Sequence, residues 1–166
     1  GEEAAGRALA EGLETAGVDC TGLLMSEKLQ TTTKVRILAG QLHSTRQQVI
    51  RLDYEGAPLN SEFHQPLRER VLEELQTSDA VIISDYNYGV VGQEIPKTVR
   101  DAAASKGIPV LVDSRFRLSE FQGFTSATPN EDEVEQLLGK QFANVSDLES
   151  AGEEMRERLG YRALLI

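Results

Sequence analysis

The chain has 166 residues, 40% of them hydrophobic, which is enough for one domain with an extensive core. Its net charge of −10 argues against a nucleic-acid-binding surface, because phosphate binding needs clustered lysine and arginine side chains. The sequence has no apolar run of about 20 residues that could span a bilayer, and residues 1–16 do not resemble a signal peptide. We therefore expect a soluble cytoplasmic protein with no nucleic-acid or membrane partner.

The first third of the sequence predicts a helix followed by a two-stranded ribbon. Apolar side chains recur on one helical face of residues 2–16, and a short strand is expected at 22–25. Two runs rich in β-branched residues, TTTKVRILAG at 31–40 and QQVIRLD at 47–53, alternate in polarity as strands do. The polar residues 41–46 between them predict a turn or loop, so the two runs indicate an antiparallel ribbon.

After Gly56 the sequence alternates between strands and helices, which is typical of βαβ units on a parallel sheet. Apolar runs predict strands at 80–84, 109–113 and 163–166, and the first should be buried on both faces of the sheet. Helical patterns cover residues 67–75, 93–105, 131–139 and 146–159. The ribbon does not belong to such a sheet, so we expect it to project as a lid or to form a partner interface.

Three polar segments follow the predicted strands and carry the main functional signal. They are SDYNYGVVG at 84–92, DSRFR at 113–117 and TPNEDE at 128–133. Ligands of open α/β sheets bind beyond the carboxyl ends of the strands, so the three segments should meet on one rim. The sequence has no glycine-rich phosphate loop, and its single cysteine, Cys20, excludes an internal disulfide and a cysteine-rich zinc site.

Each of these segments also allows a purely structural interpretation. Asp85 would cap the turn that leads into the next helix, and Asp113 with Arg115 would form a surface ion pair of little energetic weight. Asn130, followed three residues later by Glu133, matches a helix capping box. A carboxylate held in that geometry can also order a water molecule on a hard cation such as Mg²⁺, so both interpretations of Glu133 stay open.

Other candidate residues are isolated in the sequence. Tyr86 can stack on a ligand or can merely cover the edge of the sheet. Lys34 and Arg51 on the ribbon form a solvated face, unless an anionic substrate or a second ribbon contacts them. His43 in the ribbon turn and His64 near a helix start are both expected at the surface.

Taken in this order, the segments resemble the ribokinase (phosphofructokinase-B) family of carbohydrate kinases. The resemblance is carried by TTTKVRILAG…QQVIRLD, SDYNYGVV, VDSR and TPNEDEVEQLLG, and it runs along nearly the whole chain. Within this family, the segments resemble the branch of the heptose 7-phosphate kinase of bacterial ADP-heptose synthesis. The fold implied is α/β: a ribokinase-like three-layer sandwich with a parallel sheet and a projecting β-lid ribbon at 31–53. Residues 1–166 would form one such domain, incomplete at both ends.

The resemblance implies ATP as the phosphoryl donor and Mg²⁺ as the cofactor. Asn130 and Glu133 match the asparagine and glutamate that organise Mg²⁺ and the ATP phosphates, with Glu133 acting on the metal through water. Arg115 matches a position near the nucleotide phosphates. The heptose branch commonly has Asp-Pro-Lys where this chain has Asp-Ser-Arg at 113–115, and a lysine in place of Tyr88. These departures leave the identity of the sugar open.

The substrate implied by the resemblance is a sugar or a sugar phosphate, with heptose 7-phosphate as one option. Asp85, Tyr86 and Gly89 are assigned to the segment that lines the active-site cleft. Lys34 and Arg51 lie on the ribbon that closes over the sugar and are assigned to the same substrate. In this family the ribbon often forms a dimer contact, so we expect a homodimer through the ribbon.

Two elements of the family are not found within residues 1–166. They are the glycine-rich substrate segment and the D-T-x-G-A-G-D element, whose last aspartate is the catalytic base. Phosphoryl transfer needs such a base together with a metal and backbone donors. We therefore assign no catalytic residue in this chain, and we expect that these residues alone do not turn over substrate.

An alternative from another class stays open, namely a non-catalytic dimerising or ligand-binding module with the same fold. Such a module would retain the ribbon and lack catalytic activity. This would agree with the absence of the catalytic base and of the glycine anion hole from residues 1–166. A flavodoxin-like regulatory domain is a weaker alternative, because such domains have no projecting ribbon.

Overall fold

The computed structural model describes residues 1–40, 46–57 and 61–166. The chain divides into two units, Gly1–Pro58 and Leu59–Ile166. His43 and nearly all of the predicted ribbon turn lie outside the described residues. Within the described ranges, every helix is too short or too polar to cross a membrane.

In the first unit, helix α1 (Ala4–Thr15) precedes the antiparallel strands β1 (Thr33–Ala39) and β2 (Gln47–Tyr54). The start of α1 is tied to the chain before β1, because the Glu3 carboxylate accepts a hydrogen bond from the Thr31 backbone amide at 2.7 Å. This hydrogen bond, together with others from the Thr31 side chain and the Glu3 backbone, lowers the pKa of Glu3 to about 2. The predicted first helix and the predicted ribbon are both confirmed.

The short strand predicted at 22–25 is wrong, since turns and irregular backbone occupy this part of the chain. Local side-chain hydrogen bonds explain the difference. Asp19 Oδ1 accepts from the Thr21 amide at 2.9 Å, and Ser26 Oγ accepts from the Lys28 amide at 3.1 Å. Such side-chain hydrogen bonds stabilise turns, which compete with the pairing of the backbone in a β-sheet.

The ribbon presents an exposed apolar face. Its cross-strand pairs are Val35 with Leu52 and Ile37 with Ile50, and directly opposite residues point to the same side. These four side chains, which we call the apolar face of the ribbon, each remain more than a third exposed. Monomeric soluble proteins rarely expose large contiguous apolar patches.

The second unit is built on parallel strands in the order β3-β4-β5-β6. Its strands are β3 (Val81–Asp85), β4 (Val110–Ser114), β5 (Ser126–Ala127) and β6 (Ala163–Leu164). Its helices are α2 (Ser61–Glu74), α3 (Glu94–Lys106), α4 (Glu131–Leu138) and α5 (Val145–Leu159), with a 3₁₀ helix at Leu118–Glu120. The predicted alternation of strands and helices is confirmed, whereas β5 is too short for a sequence pattern to define.

One face of this sheet carries the core. Ile83, Val112 and Ala127 lie side by side on neighbouring strands and are buried. Side chains from the helices and from the segment after β4 complete the cluster, among them Val99, Phe121, Val134 and Met155. Burial of this apolar surface is the main force that holds the second unit together.

The opposite face of the sheet is open. Ile82 on β3 is 73% exposed, and Leu111 on β4 is also exposed. The prediction that the 80–84 strand is buried on both faces is therefore wrong for the described residues. The apolar run reflects a sheet with two apolar faces, of which the described chain covers one.

Candidate functional site

The parallel strand order brings the carboxyl ends of β3, β4 and β5 to one edge of the sheet, which we call the carboxyl rim. Asp85 at the end of β3 pairs with Ser114 at the end of β4. Asn130 follows β5 by three residues. The predicted meeting of the three polar segments on one rim is confirmed by this topology.

Asp85 is a buried carboxylate at this rim, with only 3% of the residue exposed. Its Oδ1 accepts a hydrogen bond from the Asn87 amide at 3.0 Å. Its Oδ2 accepts from the Ser114 hydroxyl at 3.1 Å and lies 3.4 Å from Nη1 of Arg117. Asp85 therefore caps its own turn, as the structural interpretation suggested, and it also belongs to a compensated buried charge network.

Arg117 is the cation of this network and is only 15% exposed at its side chain. Besides Asp85, its Nη1 donates to the Val91 carbonyl at 2.9 Å. Its Nε and Nη2 donate to the two carboxylate oxygens of Glu120 at 3.1 and 2.7 Å. The hydrogen bonds between these two side chains raise the pKa of Arg117 and lower that of Glu120.

The 85–92 loop between β3 and α3 has a defined backbone conformation. Asn87 has φ 61° and Gly89 has φ 86°, both in the left-handed region. His64 Nε2 lies 3.3 Å from the Gly89 carbonyl, and a Cβ added at Gly92 would come within 3.2 Å of the His64 ring. The predicted surface position of His64 holds only in part, since this residue is partly buried and contacts the loop.

Asn130 and Glu133 form the predicted capping box at the start of α4. The Glu133 amide donates to Asn130 Oδ1 at 2.9 Å, and the Asn130 amide donates to Glu133 Oε2 at 3.0 Å. Glu131 and Asp132 complete an acidic first turn, where carboxylates interact favourably with the helix dipole. The capping interpretation of this segment is confirmed.

Arg115 and Asp113 do not form the predicted local ion pair among the described residues. The Arg115 side chain is exposed, and its guanidinium lies 5.3 Å from the centroid of the exposed Phe116 ring. Its backbone amide donates to the Asp85 carbonyl at 3.2 Å, which fixes the start of the segment at the rim. A solvent-facing guanidinium in this position can contact an anionic ligand.

The other assigned substrate residues fall in two places. Tyr86 lies in the 85–92 loop with its side chain more than half exposed. Lys34 and Arg51 lie on the ribbon, where both approach Asp53. Arg51 donates two hydrogen bonds to this carboxylate at 2.8 and 3.0 Å, which lowers the pKa of Asp53. Their contact with substrate stays a prediction.

The residues at the rim fit a water-mediated Mg²⁺ ion better than a direct metal cage. Among the described residues, no three His, Cys, Asp or Glu side chains are grouped to hold a metal. Glu133 uses Oε2 in the capping box, and its Oε1 makes no hydrogen bond within the described chain. Mg²⁺ commonly keeps several waters and takes one or two carboxylates together with substrate phosphates, so this donor set fits the ion.

Arg117 and Ser114 are the site residues that the sequence analysis missed. Both lie within the DSRFR segment at 113–117, whereas Asp85, which both contact, is about 30 residues earlier in the sequence. The only available signal was the position of a second arginine just beyond a predicted strand end. That position places Arg117 at the same rim as Asp85.

Comparison with known proteins agrees with this architecture. Residues 1–166 match the family described as pfkB family carbohydrate kinase. The chain is 39% identical over 156 residues to the bifunctional protein HldE of Koribacter versatilis and 37% identical over 159 residues to that of Marinomonas sp.. These alignments cover 93% and 95% of this chain but 31% and 32% of the relatives, so the chain spans about a third of their length.

Solved structures of Escherichia coli phosphofructokinase-2 share the fold. The tetrameric inhibited form superposes with a TM-score of 0.68 at 21% identity, covering 98% of this chain and 52% of that chain. The complex with potassium gives a TM-score of 0.69 at 22% identity with the same coverage. The ribokinase-like fold class is therefore confirmed, and the match along its whole length shows that the chain belongs to the pfkB family of carbohydrate kinases.

Proposed function

We propose that this chain is the central part of an ATP- and Mg²⁺-dependent kinase that phosphorylates a sugar or a sugar phosphate in the cytoplasm. The observation that carries the proposal is the family match over residues 1–166. Heptose 7-phosphate is the first acceptor to test, because the sequence motifs most resemble that branch and HldE proteins are among the relatives. The proposal concerns the full-length protein that contains this chain.

On the nucleotide side, we assign Asn130 and Glu133 to the binding of Mg²⁺ and ATP. Asn130 holds the Glu133 backbone, and Glu133 orients a water molecule on the ion with the carboxylate oxygen that capping leaves available. When bound, Mg²⁺ neutralises charge on the transferring phosphoryl group. The three carboxylates of the first turn of α4 would repel a bare phosphate, so a cation is needed there. Arg115 supplies a further positive charge.

On the acceptor side, we assign the 85–92 loop to the sugar. The Asp85 carboxylate already accepts three hydrogen bonds, so it shapes the loop and does not serve as the base. Tyr86 offers an exposed aromatic ring on which a sugar can stack. Gly89 has φ 86°, a left-handed conformation that glycine adopts without strain, so it lets the loop turn at this point.

The first experiment is an ATP-consumption assay on the full-length natural protein with heptose 7-phosphate, fructose 6-phosphate and unphosphorylated sugars. We expect transfer to at least one of them, and loss of activity when EDTA removes Mg²⁺. Intact-mass measurement of the product identifies the phosphorylated sugar. A full-length protein that folds and binds ATP but transfers phosphate to none of these acceptors would support the non-catalytic alternative.

We also propose that the apolar face of the ribbon is the contact between two copies of the protein. The support is the exposure of its four apolar side chains, since an isolated two-stranded ribbon is only marginally stable in water. In the full-length protein, Ile37→Lys should convert a dimer to a monomer in sedimentation velocity. Arg36→Gln changes the opposite face and should leave the dimer intact. A dimer that survives Ile37→Lys would exclude this contact.

A further inference from the structure

We propose that Arg117 is a positioning residue that holds the 85–92 loop in the conformation that receives the phosphoryl acceptor. This inference rests on the proposed function of the loop. Arg117 was not among the residues assigned to substrate or nucleotide. Its side chain is largely buried, with only 15% of it exposed.

Arg117 bridges the two ends of the loop with one nitrogen. Nη1 lies 3.4 Å from Asp85 Oδ2 at the start of the loop and 2.9 Å from the Val91 carbonyl near its end. The Arg117 amide also lies 3.3 Å from the Ser114 hydroxyl, which in turn donates to Asp85 at 3.1 Å. The ends of the loop are therefore held together through this side chain.

Glu120 holds the guanidinium in this orientation. Its two carboxylate oxygens accept from Nε and Nη2, which leaves Nη1 directed at the loop. The Phe121 ring lies 5.9 Å from the guanidinium carbon and covers one side of it. A planar guanidinium can satisfy Glu120, Asp85 and a carbonyl at once, whereas a lysine ammonium has a single charged centre and no fork.

Between these fixed ends, the loop exposes its candidate acceptor contacts. Tyr86 and Val90 are more than half exposed, while Asp85 and Val91 are buried. The turn depends on Asn87 at φ 61°, whose amide donates to the Asp85 carboxylate that Arg117 neutralises. Loss of Arg117 would leave a buried carboxylate with fewer partners and would release the turn. The exposed side chains would then lose their fixed position relative to the acceptor.

The test compares Arg117→Gln with Arg156→Gln in the full-length protein. Arg156 on α5 is a matched control, because it also makes a two-point contact with a glutamate, Glu153, and donates Nη1 to a carbonyl. Its second carboxylate neighbour, Glu157 at 3.8 Å, is exposed, whereas Asp85 is buried, and Arg156 lies outside the proposed acceptor site. Each variant removes one positive charge and one two-point contact between an arginine and a glutamate.

We expect Arg117→Gln to lower kcat/KM for the acceptor by about a hundredfold, as small misplacements of a substrate commonly do, while KM for ATP changes by less than about threefold. Arg156→Gln should leave kcat/KM for the acceptor within about threefold of the wild type. Amide hydrogen exchange should increase in residues 85–92 for Arg117→Gln and stay unchanged there for Arg156→Gln. Unchanged exchange in the loop, or equal kinetic effects of the two variants, would overturn the proposal.

Arg117→Lys provides the second variant if Arg117→Gln does not fold. Lysine keeps a positive charge beside Asp85 but lacks the planar guanidinium that donates to several partners at once. Amide hydrogen exchange in the loop and kcat/KM for the acceptor should therefore lie between the wild-type values and those expected for Arg117→Gln. Wild-type hydrogen exchange and kinetics of Arg117→Lys would overturn the proposed role of the planar guanidinium. If the wild-type protein phosphorylates no acceptor, the proposed function fails, but the exchange comparison still decides whether Arg117 holds the loop.

Discussion

Replacing Phe121 with alanine should lower the free energy of unfolding by about 3–5 kcal/mol, because the ring is completely buried. The Phe121 ring lies 6.3 Å from the Phe124 ring, and its backbone carbonyl accepts a hydrogen bond from the buried Tyr161 hydroxyl. Burial also raises the pKa of Tyr161, so the hydroxyl stays protonated as a donor. Truncation at Phe121 would leave a cavity where these segments meet.

Phe116→Ala is the matched control for this prediction. The Phe116 ring is five residues earlier in the same segment and is 60% exposed. Its removal should cost less than about 1 kcal/mol, since it loses little buried area and one exposed contact with Arg115. Urea unfolding of both variants measures the two values. Equal losses would contradict the assignment of Phe121 to the core of the second unit.

If the proposed function is right, Glu133→Gln should lower kcat of the full-length protein by about 10–100-fold and raise the Mg²⁺ concentration needed for half-maximal rate. The reason is that an amide orders a metal-bound water less strongly than a carboxylate does. Thermal stability should change little, because glutamine at this position can still accept from the Asn130 amide and complete the capping box. The substitution therefore separates the helix cap from the proposed metal role.

Asp132→Asn is the control for Glu133→Gln. It removes the same charge from the same first turn of α4, but Asp132 is exposed and does not contribute to the capping box. We expect nearly wild-type kinetics and Mg²⁺ dependence for this variant. Unchanged kinetics of Glu133→Gln would leave Glu133 as a helix cap only. Equal losses in both variants would point to the summed charge of the turn and not to Glu133.

The parts of the structure that could be predicted are those determined by neighbouring residues. The start of α4 follows from Asn130 and Glu133, which bond to each other across three positions. The helix predicted at 131–139 extends one residue beyond α4, which ends at Leu138 because Gly139 takes φ 66° at the C-cap. The ribbon follows from two alternating β-branched runs. The rim then follows from parallel strand order, because neighbouring strands end at the same edge.

The parts that could not be predicted depend on contacts between distant residues. Arg117 and Asp85 are 32 positions apart, and no periodicity connects them. The contact of His64 with the 85–92 loop joins residues 25 positions apart. At Ile82, the apolar run correctly indicates a strand but contains no information on which face other parts of the chain cover.

If copies of the protein associate through the ribbon, as we propose above, its bulge would limit the number that can join. The register changes after Ile37, so that Val49 on β2 has no directly opposite residue on β1. A bulge bends and twists its strand, which makes the free edge a poor template for an added strand from another molecule. Pairing edge to edge could continue without limit and build a fibre, whereas contact between two apolar faces closes after two copies. The irregularity at Val49 therefore favours a closed assembly over an open one.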